Sequence, residues 1–351
     1  MSAALAIPRA VDQLDTAWFQ AAVSGDVRQA RVLEVIHGTA TKIKVALDYA
    51  AGGAPRSEVV WVKTGMEAHS RAIGTEQVYA GETCFYRTLG GRYETRTPRC
   101  FFADSDAEGA SILVLEDLCR QGAVFTDPAV AGSPELIAAG LEAIARYQAA
   151  SWMDASLAAT PLLASGGSFD AADCLAWLYD PAHWDDYARR PRFQALAPGL
   201  RDRDTLRRAH TALRHDWLRR EAWALSHGDA HFGQLYALPS GEARLLDWQC
   251  VQIANHLQDV ANLMVSGLSI DDRRRFDREL LAGYLDALAR FGVAEVPSLN
   301  DCVARFGAYA MHQLAWVMCL VEMQPEETCA AITERASAAV QDYGTLKLLL
   351  G

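Results

Sequence analysis

Residues 225–264 read LSHGDAHFGQLYALPSGEARLLDWQCVQIANHLQDVANLM, and the placement of two acidic residues in this stretch decides how the chain is read. Asp229 and Asp247 each sit in a short motif at the edge of an apolar run. Between them, Leu235 to Leu238 and Ala243 to Leu246 flank Pro239-Ser240-Gly241-Glu242, a pattern that predicts two short strands joined by a turn. A hairpin brings its two ends together. Asp229 and Gln234 on one side therefore meet Asp247 on the other. Two carboxylates and a side-chain amide around one point suit Mg²⁺, a hard cation that takes oxygen ligands. A carboxylate beside such a cation suits a base for a hydroxyl nucleophile.

Upstream of this stretch the pattern is mostly that of strands. Residues 10–24 predict a short amphipathic helix. Arg31 to Ile36, Lys42 to Tyr49 and Val59 to Lys63 then alternate apolar and polar residues, as half-buried strands do. The turn His37-Gly38-Thr39-Ala40-Thr41 is small and polar, but one glycine makes a poor phosphate loop. Lys63 ends the strand VVWVK. Residues 71–89 follow with a helical pattern, and both Glu76 and Glu82 are candidates to pair with Lys63 and aim its ammonium group at phosphate oxygens. A second strand pair, Arg99 to Ala103 and Ser111 to Leu115, runs into Glu116-Asp117-Leu118, where alternation stops. The expectation is a helix packed on a small antiparallel sheet in a first lobe, residues 1–118.

Residues 119–351 predict a mainly helical second lobe. Ser133 is a good N-cap with Pro134 at the first helical position, and Leu136, Ile137, Leu141, Ile144 and Ala145 mark a buried stripe. Residues 160–170 predict a loop. Residues 171–199 hold Trp177, Tyr179, Trp184, Tyr187 and Phe193, which serve either as core or as walls of an apolar acceptor pocket. Asp204 to Ala224 predicts a charged helix leading directly into the HGD motif. Three further helices are expected at about 271–291, 299–322 and 327–348, the first ended by Gly292.

HGDAHFGQ at 227–234 and DWQ at 247–249 resemble the catalytic and metal motifs of the aminoglycoside phosphotransferase and choline kinase-like family. The nearest branch is the ecdysteroid kinase-like small-molecule kinases, where HGDxHxxN precedes a DWQ or DWE by about eighteen residues; here Asp229 and Asp247 are eighteen apart. LVLEDL at 113–118, IARYQAASW at 144–152 and LQDVANLM at 257–264 extend the resemblance over most of the chain. It implies an α+β, protein kinase-like, two-lobed fold and an ATP-dependent phosphotransferase that uses Mg²⁺ to phosphorylate a hydroxyl on a small molecule. It makes Asp229 the catalytic base, and Asp247 and Gln234 the metal ligands. Lys63, oriented by Glu82, becomes the ligand of the α- and β-phosphates, and the Glu116 to Leu118 segment the hinge whose backbone meets adenine. His227 and Asp259 become structural braces. Two positions depart from the pattern: Gln234 replaces asparagine, and Tyr147-Gln148 stands where the family reads Leu-His.

The rest of the composition narrows the alternatives. With 51% apolar and 22% charged residues the chain is an ordinary globular one, without an apolar run as long as a membrane span. A formal net charge of −11 argues against nucleic acid as a partner. Eight cysteines with no CxxC spacing fit buried thiols in a reducing cytoplasm. Two rivals to an active kinase follow: a nucleotide-binding pseudokinase impaired through Gln234, and a metallophosphoesterase built on His227, Asp229 and His231. The second lacks the further His and Asp ligands of a two-metal site. The aromatic content of 171–199 favours a bulky, apolar acceptor.

Overall fold

A computed structural model describes residues 5–37, 40–50, 56–65, 76–160, 163, 174–218 and 222–351. The chain divides into two compact units, Met1–Arg92 with Arg96–Ala123, and Tyr93–Thr95 with Val124–Gly351. The small turn expected at 37–41 falls partly outside the described residues, as do most of the loop at 160–170 and the first part of the helical pattern at 71–89.

In the first unit, helix α1 (Thr16–Ala22) precedes strands β1 (Val27–Ile36), β2 (Thr41–Tyr49) and β3 (Arg56–Thr64); helix α2 (Glu76–Thr88), β4 (Cys100–Ser105) and β5 (Ser111–Glu116) follow. The strands form one antiparallel sheet in the order β1-β2-β3-β5-β4. Period-two alternation separates its faces. Ile43, Val45, Leu47, Val60, Val62, Ile112 and Val114 join Trp18 and Phe19 of α1 in the core. The opposite face carries Lys42 paired with Lys63 and Lys44 paired with Trp61. Helix α1 starts later than the apolar pattern from residue 10 predicts, because the Asp15 carboxylate accepts the Trp18 N–H at 2.8 Å and fixes the helix start there.

The second unit holds β6 (Val124–Phe125), α3 (Pro134–Ala150), α4 (Cys174–Leu178), α5 (Pro181–Tyr187) and α6 (Arg203–Leu218), then β7 (Trp223–Ser226), β8 (Leu235–Ala237), β9 (Ala243–Leu245) and β10 (Gln252–Asn255). Helices α7 (Leu257–Gly267), α8 (Ile270–Arg290), α9 (Leu299–Gln313), α10 (Glu326–Asp342) and α11 (Thr345–Leu350) complete it. Ser133 caps α3 as expected, its hydroxyl accepting the Leu136 N–H at 3.3 Å. The predicted helix to Ala224 is corrected: α6 ends at Leu218, and Trp223–Ser226 is a strand paired antiparallel with β10. The helix expected at 299–322 ends at Gln313 and passes into a tighter turn, Leu314–Met318. That expected at 327–348 is broken at Gly344, whose φ of 61° interrupts the helix. All of α7 is buried, because α3, α9 and α10 pack around it. Among the described residues no helix is long and apolar enough to cross a membrane, and none of the eight cysteines forms a disulfide.

Four buried histidines make this unit acid-sensitive. Burial lowers the pKa of His210, His231 and His256 to about 3 and of His312 to about 4. The unfolded chain therefore binds more protons than the folded one between the ordinary histidine pKa and these values. Stability is fully present above pH ~6.5 and is lost as pH falls below it, by up to roughly 1.4 kcal/mol per pH unit for each histidine. Between pH 7.5 and about 6.5 the raised pKa of Asp229 makes the urea denaturation midpoint rise as pH falls, and below about 6.5 the histidines outweigh it, so the midpoint is expected to pass through a maximum and then to drop by pH 5. A level midpoint throughout would contradict neutral burial of these rings.

Candidate active site

The HGD loop follows β7 and is organised by one carboxylate. Asp259, fully buried on the first turn of α7, accepts the Ser226 hydroxyl at 2.9 Å, the His227 N–H at 2.8 Å and the Gly228 N–H at 3.0 Å. It also accepts the Tyr147 hydroxyl at 2.7 Å. Burial and Asp259 raise the Tyr147 pKa far above its ordinary value, so the phenol stays a donor. Its neighbour Gln148 donates to the His256 carbonyl at 3.1 Å and accepts the Tyr284 hydroxyl at 2.5 Å. The Tyr147-Gln148 departure thus places two polar side chains in the brace beneath the loop.

His227 links the loop to the second motif. Its Nε2 lies 2.6 Å from the Leu246 carbonyl, and its Nδ1 accepts the Asp229 N–H at 3.3 Å, an arrangement that puts the ring proton on Nε2. Both ring nitrogens are therefore engaged with backbone, which removes the first ligand from the metallophosphoesterase reading. Gly228 has a φ of 82°, and a Cβ there would meet the Cys250 carbonyl oxygen at 1.9 Å. Only glycine lets the HGD backbone approach the DWQC backbone so closely.

The expected hairpin is present as β8 and β9, with Leu235 opposite Leu245. Beyond this pair the Leu246 N–H donates to the Gln234 carbonyl at 2.9 Å, so Gln234 lies beside the residue preceding Asp247. Asp247 takes a left-handed conformation, φ 62° and ψ 66°, which aspartate tolerates better than most residues but which still costs energy and often marks functional positions. The Asp229 side chain is 26% accessible. Burial first, and then the charges of Asp247 and Asp259, push its pKa up to about 8. Burial and the nearby Asp247 thus disfavour the ionised form of Asp229, a penalty that a cation at the hairpin mouth would relieve. Among the described residues no three His, Cys, Asp or Glu side chains group closely enough to hold a metal by themselves. Asp247, Gln234 and neighbouring oxygens fit Mg²⁺, which keeps waters and takes phosphate oxygens, better than a metal needing an all-protein cage. His231 stands next to this pair, its Nε2 3.8 Å from Asp229 Oδ2 and its ring 4.8 Å from that of Trp316. Burial lowers the His231 pKa to about 3, so the contact is not an ion pair.

In the first unit, Lys63 Nζ lies 2.7 Å from Glu82 Oε2, with side-chain accessibilities of 11% and 2%. Of the two glutamates proposed as partners, Glu82 forms this pair; the Glu76 side chain is outside the described set. Glu116 closes β5, its N–H donating to the Arg99 carbonyl at 3.0 Å, and the buried Leu118 gives its carbonyl to the Ala123 N–H at 3.2 Å. The aromatic residues proposed as an acceptor wall are mostly core: Tyr179, Trp184, Tyr187 and Phe193 are at most 8% exposed, and only Trp177 of the five is half-buried. The Asp259 brace is partly legible in LQDVANL, whereas nothing in the sequence points to Trp316 beside His231.

A five-stranded antiparallel sheet with a Lys–Glu pair, joined in one chain to a helical unit with an HGD loop and a DWQ hairpin end, defines a protein kinase-like phosphotransferase fold. The profile of the phosphotransferase enzyme family (APH) matches residues 88–295, and the chain belongs to this family. Among solved structures, a microcompartment-associated aminopropanol kinase aligns over 94% of this chain and 97% of its own, with a TM-score of 0.50 at 12% identity. The choline kinase LicA from Streptococcus pneumoniae aligns over 91% and 95%, with a TM-score of 0.50 at 14% identity. At these identities the likeness is one of fold. No curated protein matches the sequence.

The glycine contact gives a controlled pair of substitutions. Gly241 also has a positive φ, 84°, but a Cβ there would meet nothing within 4 Å. Gly241→Ala is expected to cost about 1 kcal/mol from backbone strain alone. Gly228→Ala adds the collision with Cys250 and is expected to cost more than about 3 kcal/mol or to prevent folding. Equal urea midpoints for the two variants would show that the loop does not need the close approach.

Proposed function

We propose that this protein is an ATP-dependent kinase that transfers phosphate directly to a hydroxyl group of a small organic molecule. The observation that supports this reading is that Asp229 lies within electrostatic reach of Asp247, in a loop tied to the buried Asp259, with the Gln234 backbone bonded to the residue before Asp247. The Lys63–Glu82 pair supplies the phosphate-binding cation that the same chemistry requires.

In this reading Asp229 orients the acceptor hydroxyl and takes its proton, in line with phosphoryl transfer. Asp247 and Gln234 hold Mg²⁺, which when bound supplies positive charge against the phosphate oxygens. Glu82 fixes the Lys63 ammonium so that it donates to the α- and β-phosphates, and the backbone of Glu116 to Leu118 meets the base. The ecdysteroid kinase-like branch rests on motif spacing and is part of this proposal. The buried state of Tyr179, Trp184, Tyr187 and Phe193 withdraws the main support for a bulky, apolar acceptor, leaving a small-molecule alcohol as the class.

Gln234 favours a second reading, a nucleotide-binding protein with impaired turnover. Its carbonyl is pinned by the Leu246 N–H at 2.9 Å, so the extra methylene must be absorbed by the side chain and not by a backbone shift. Calorimetry with Mg-ATP tests both. Wild-type protein is expected to bind, and Lys63→Ala and Asp247→Ala to weaken binding at least about tenfold, the loss of one charge-assisted contact. Absence of binding by wild type would end both readings. In a screen of ATP consumption against a panel of alcohols, Asp229→Asn is expected to bind Mg-ATP yet lose turnover by about 10²–10⁴-fold. Turnover by wild type excludes the impaired reading. If wild type turns nothing over and Gln234→Asn restores it, the impaired reading stands.

A further inference from the structure

Two thiols of the second unit meet near Asp229 without forming a bond. Cys319 closes the turn Leu314–Met318, and Cys329 lies on the first turns of α10. The Cys319 S–H donates to the Cys329 sulfur, yet both cysteines are free. The turn before Cys319 carries Trp316, whose ring stands 4.8 Å from that of His231, and Asp229 lies within electrostatic reach of Cys319.

Arg192 holds the two segments together. Its side chain is fully buried, and its Nη1–H donates to the Cys319 carbonyl at 2.6 Å. Its Nε–H and Nη2–H donate to Glu326 Oε2 at 2.8 and 2.5 Å, at the start of the helix that carries Cys329. Just beyond Cys319, the Val321 N–H donates to the Tyr187 hydroxyl at 3.1 Å. The sulfurs are thus kept together by an ion pair and by backbone bonds in which neither sulfur takes part. The hydrogen bond from Cys319, with the nearby Arg192 charge, holds the Cys329 thiol below its ordinary pKa. The thiolate is the nucleophilic form, and a neighbouring cation is what separates reactive cysteines from inert buried ones. Cys319 is half-buried and Cys329 buried, so a reagent that reaches the pair must be small.

We propose that Cys329 and Cys319 are a reversible dithiol–disulfide site whose oxidant is a small hydroperoxide such as hydrogen peroxide, with Cys329 attacking and Cys319 resolving. The Cys329 thiolate attacks one peroxide oxygen and the O–O bond breaks. The departing hydroxide takes a proton from solvent to become water, and Cys329 is left as a sulfenic acid. The Cys319 sulfur then attacks the Cys329 sulfur, the S–O bond breaks, and the leaving hydroxide takes the Cys319 proton as a second water. The two sulfurs lose two electrons and the peroxide oxygens gain them. A thiol reductant reverses the step by exchange. The disulfide ties the end of the turn that carries Trp316 to α10. Nothing in this chemistry requires nucleotide or the kinase reading.

The test treats the reduced, full-length chain with equimolar hydrogen peroxide, alkylates the remaining thiols and cleaves at glutamate without reduction. Glu322, Glu326 and Glu327 lie between the two cysteines, so a linked pair of peptides in the mass spectrum identifies the bond. Linked peptides that dithiothreitol separates are expected as the first thiol product, formed at least about tenfold faster than oxidation of the exposed Cys119, the advantage of a cation-stabilised thiolate. Cys319→Ser is expected to leave Cys329 as a sulfenic acid that dimedone traps, and Cys329→Ser to leave Cys319 unlabelled under the same conditions. Serine keeps a hydroxyl donor of similar size, and the wild-type measurement needs neither variant. The proposal is overturned if peroxide oxidises Cys119 first while Cys319 and Cys329 remain open to alkylation, or if the linked peptides appear only when the chain is unfolded in urea. Dimedone labelling of Cys319 in Cys329→Ser, with none of Cys329 in Cys319→Ser, overturns the assigned roles.

Discussion

The buried carboxylate of Asp259 is the interaction on which the second unit's chemistry depends. An ionised carboxylate removed from water is costly unless every oxygen is satisfied, and here four donors converge on it. Two of the four are backbone N–H groups of the HGD loop, so satisfying Asp259 and shaping the loop are one event. The carboxylate sits on α7, the most enclosed helix of the unit. The loop therefore inherits the rigidity of the core.

The strain lies a few residues away. Asp247 occupies a left-handed conformation, Gly228 leaves no room for a side chain beside the Cys250 carbonyl, and Asp247 helps to disfavour the ionised form of Asp229. The His227 ring, held by backbone at both nitrogens, transmits the position of the HGD loop to the end of β9. A cation bound beside the two carboxylates would favour the ionised form of Asp229.

The first unit solves a different problem. Its sheet has one face filled by α1 and a second that carries Lys42, Lys44, Trp61 and Lys63. A lysine brought close to a sheet must be paired or solvated, and Glu82 and Asp117 pair two of them. The same pairing that makes the face tolerable also fixes the direction in which its ammonium groups point.

Much of this was legible in the residues. The strands of the first unit were readable because period-two alternation marks a sheet with one buried face, and the β8–β9 hairpin because Pro239 to Glu242 is turn chemistry between apolar runs. The family followed from the joint spacing of HGD and DWQ. What the sequence misread, it misread for lack of partners. Trp223–Ser226 continues a helical pattern locally and becomes a strand only because Gln252–Asn255 lies beside it. The aromatics of 179–193 look the same in sequence whether they line a pocket or fill a core. The sequence by itself determined which groups can do chemistry, since that is a property of side-chain type and short-range order. Only the tertiary structure decided that Glu82 meets Lys63, that Asp259 takes four hydrogen bonds and that Asp117 meets Lys44, because each depends on contacts between segments distant in the chain.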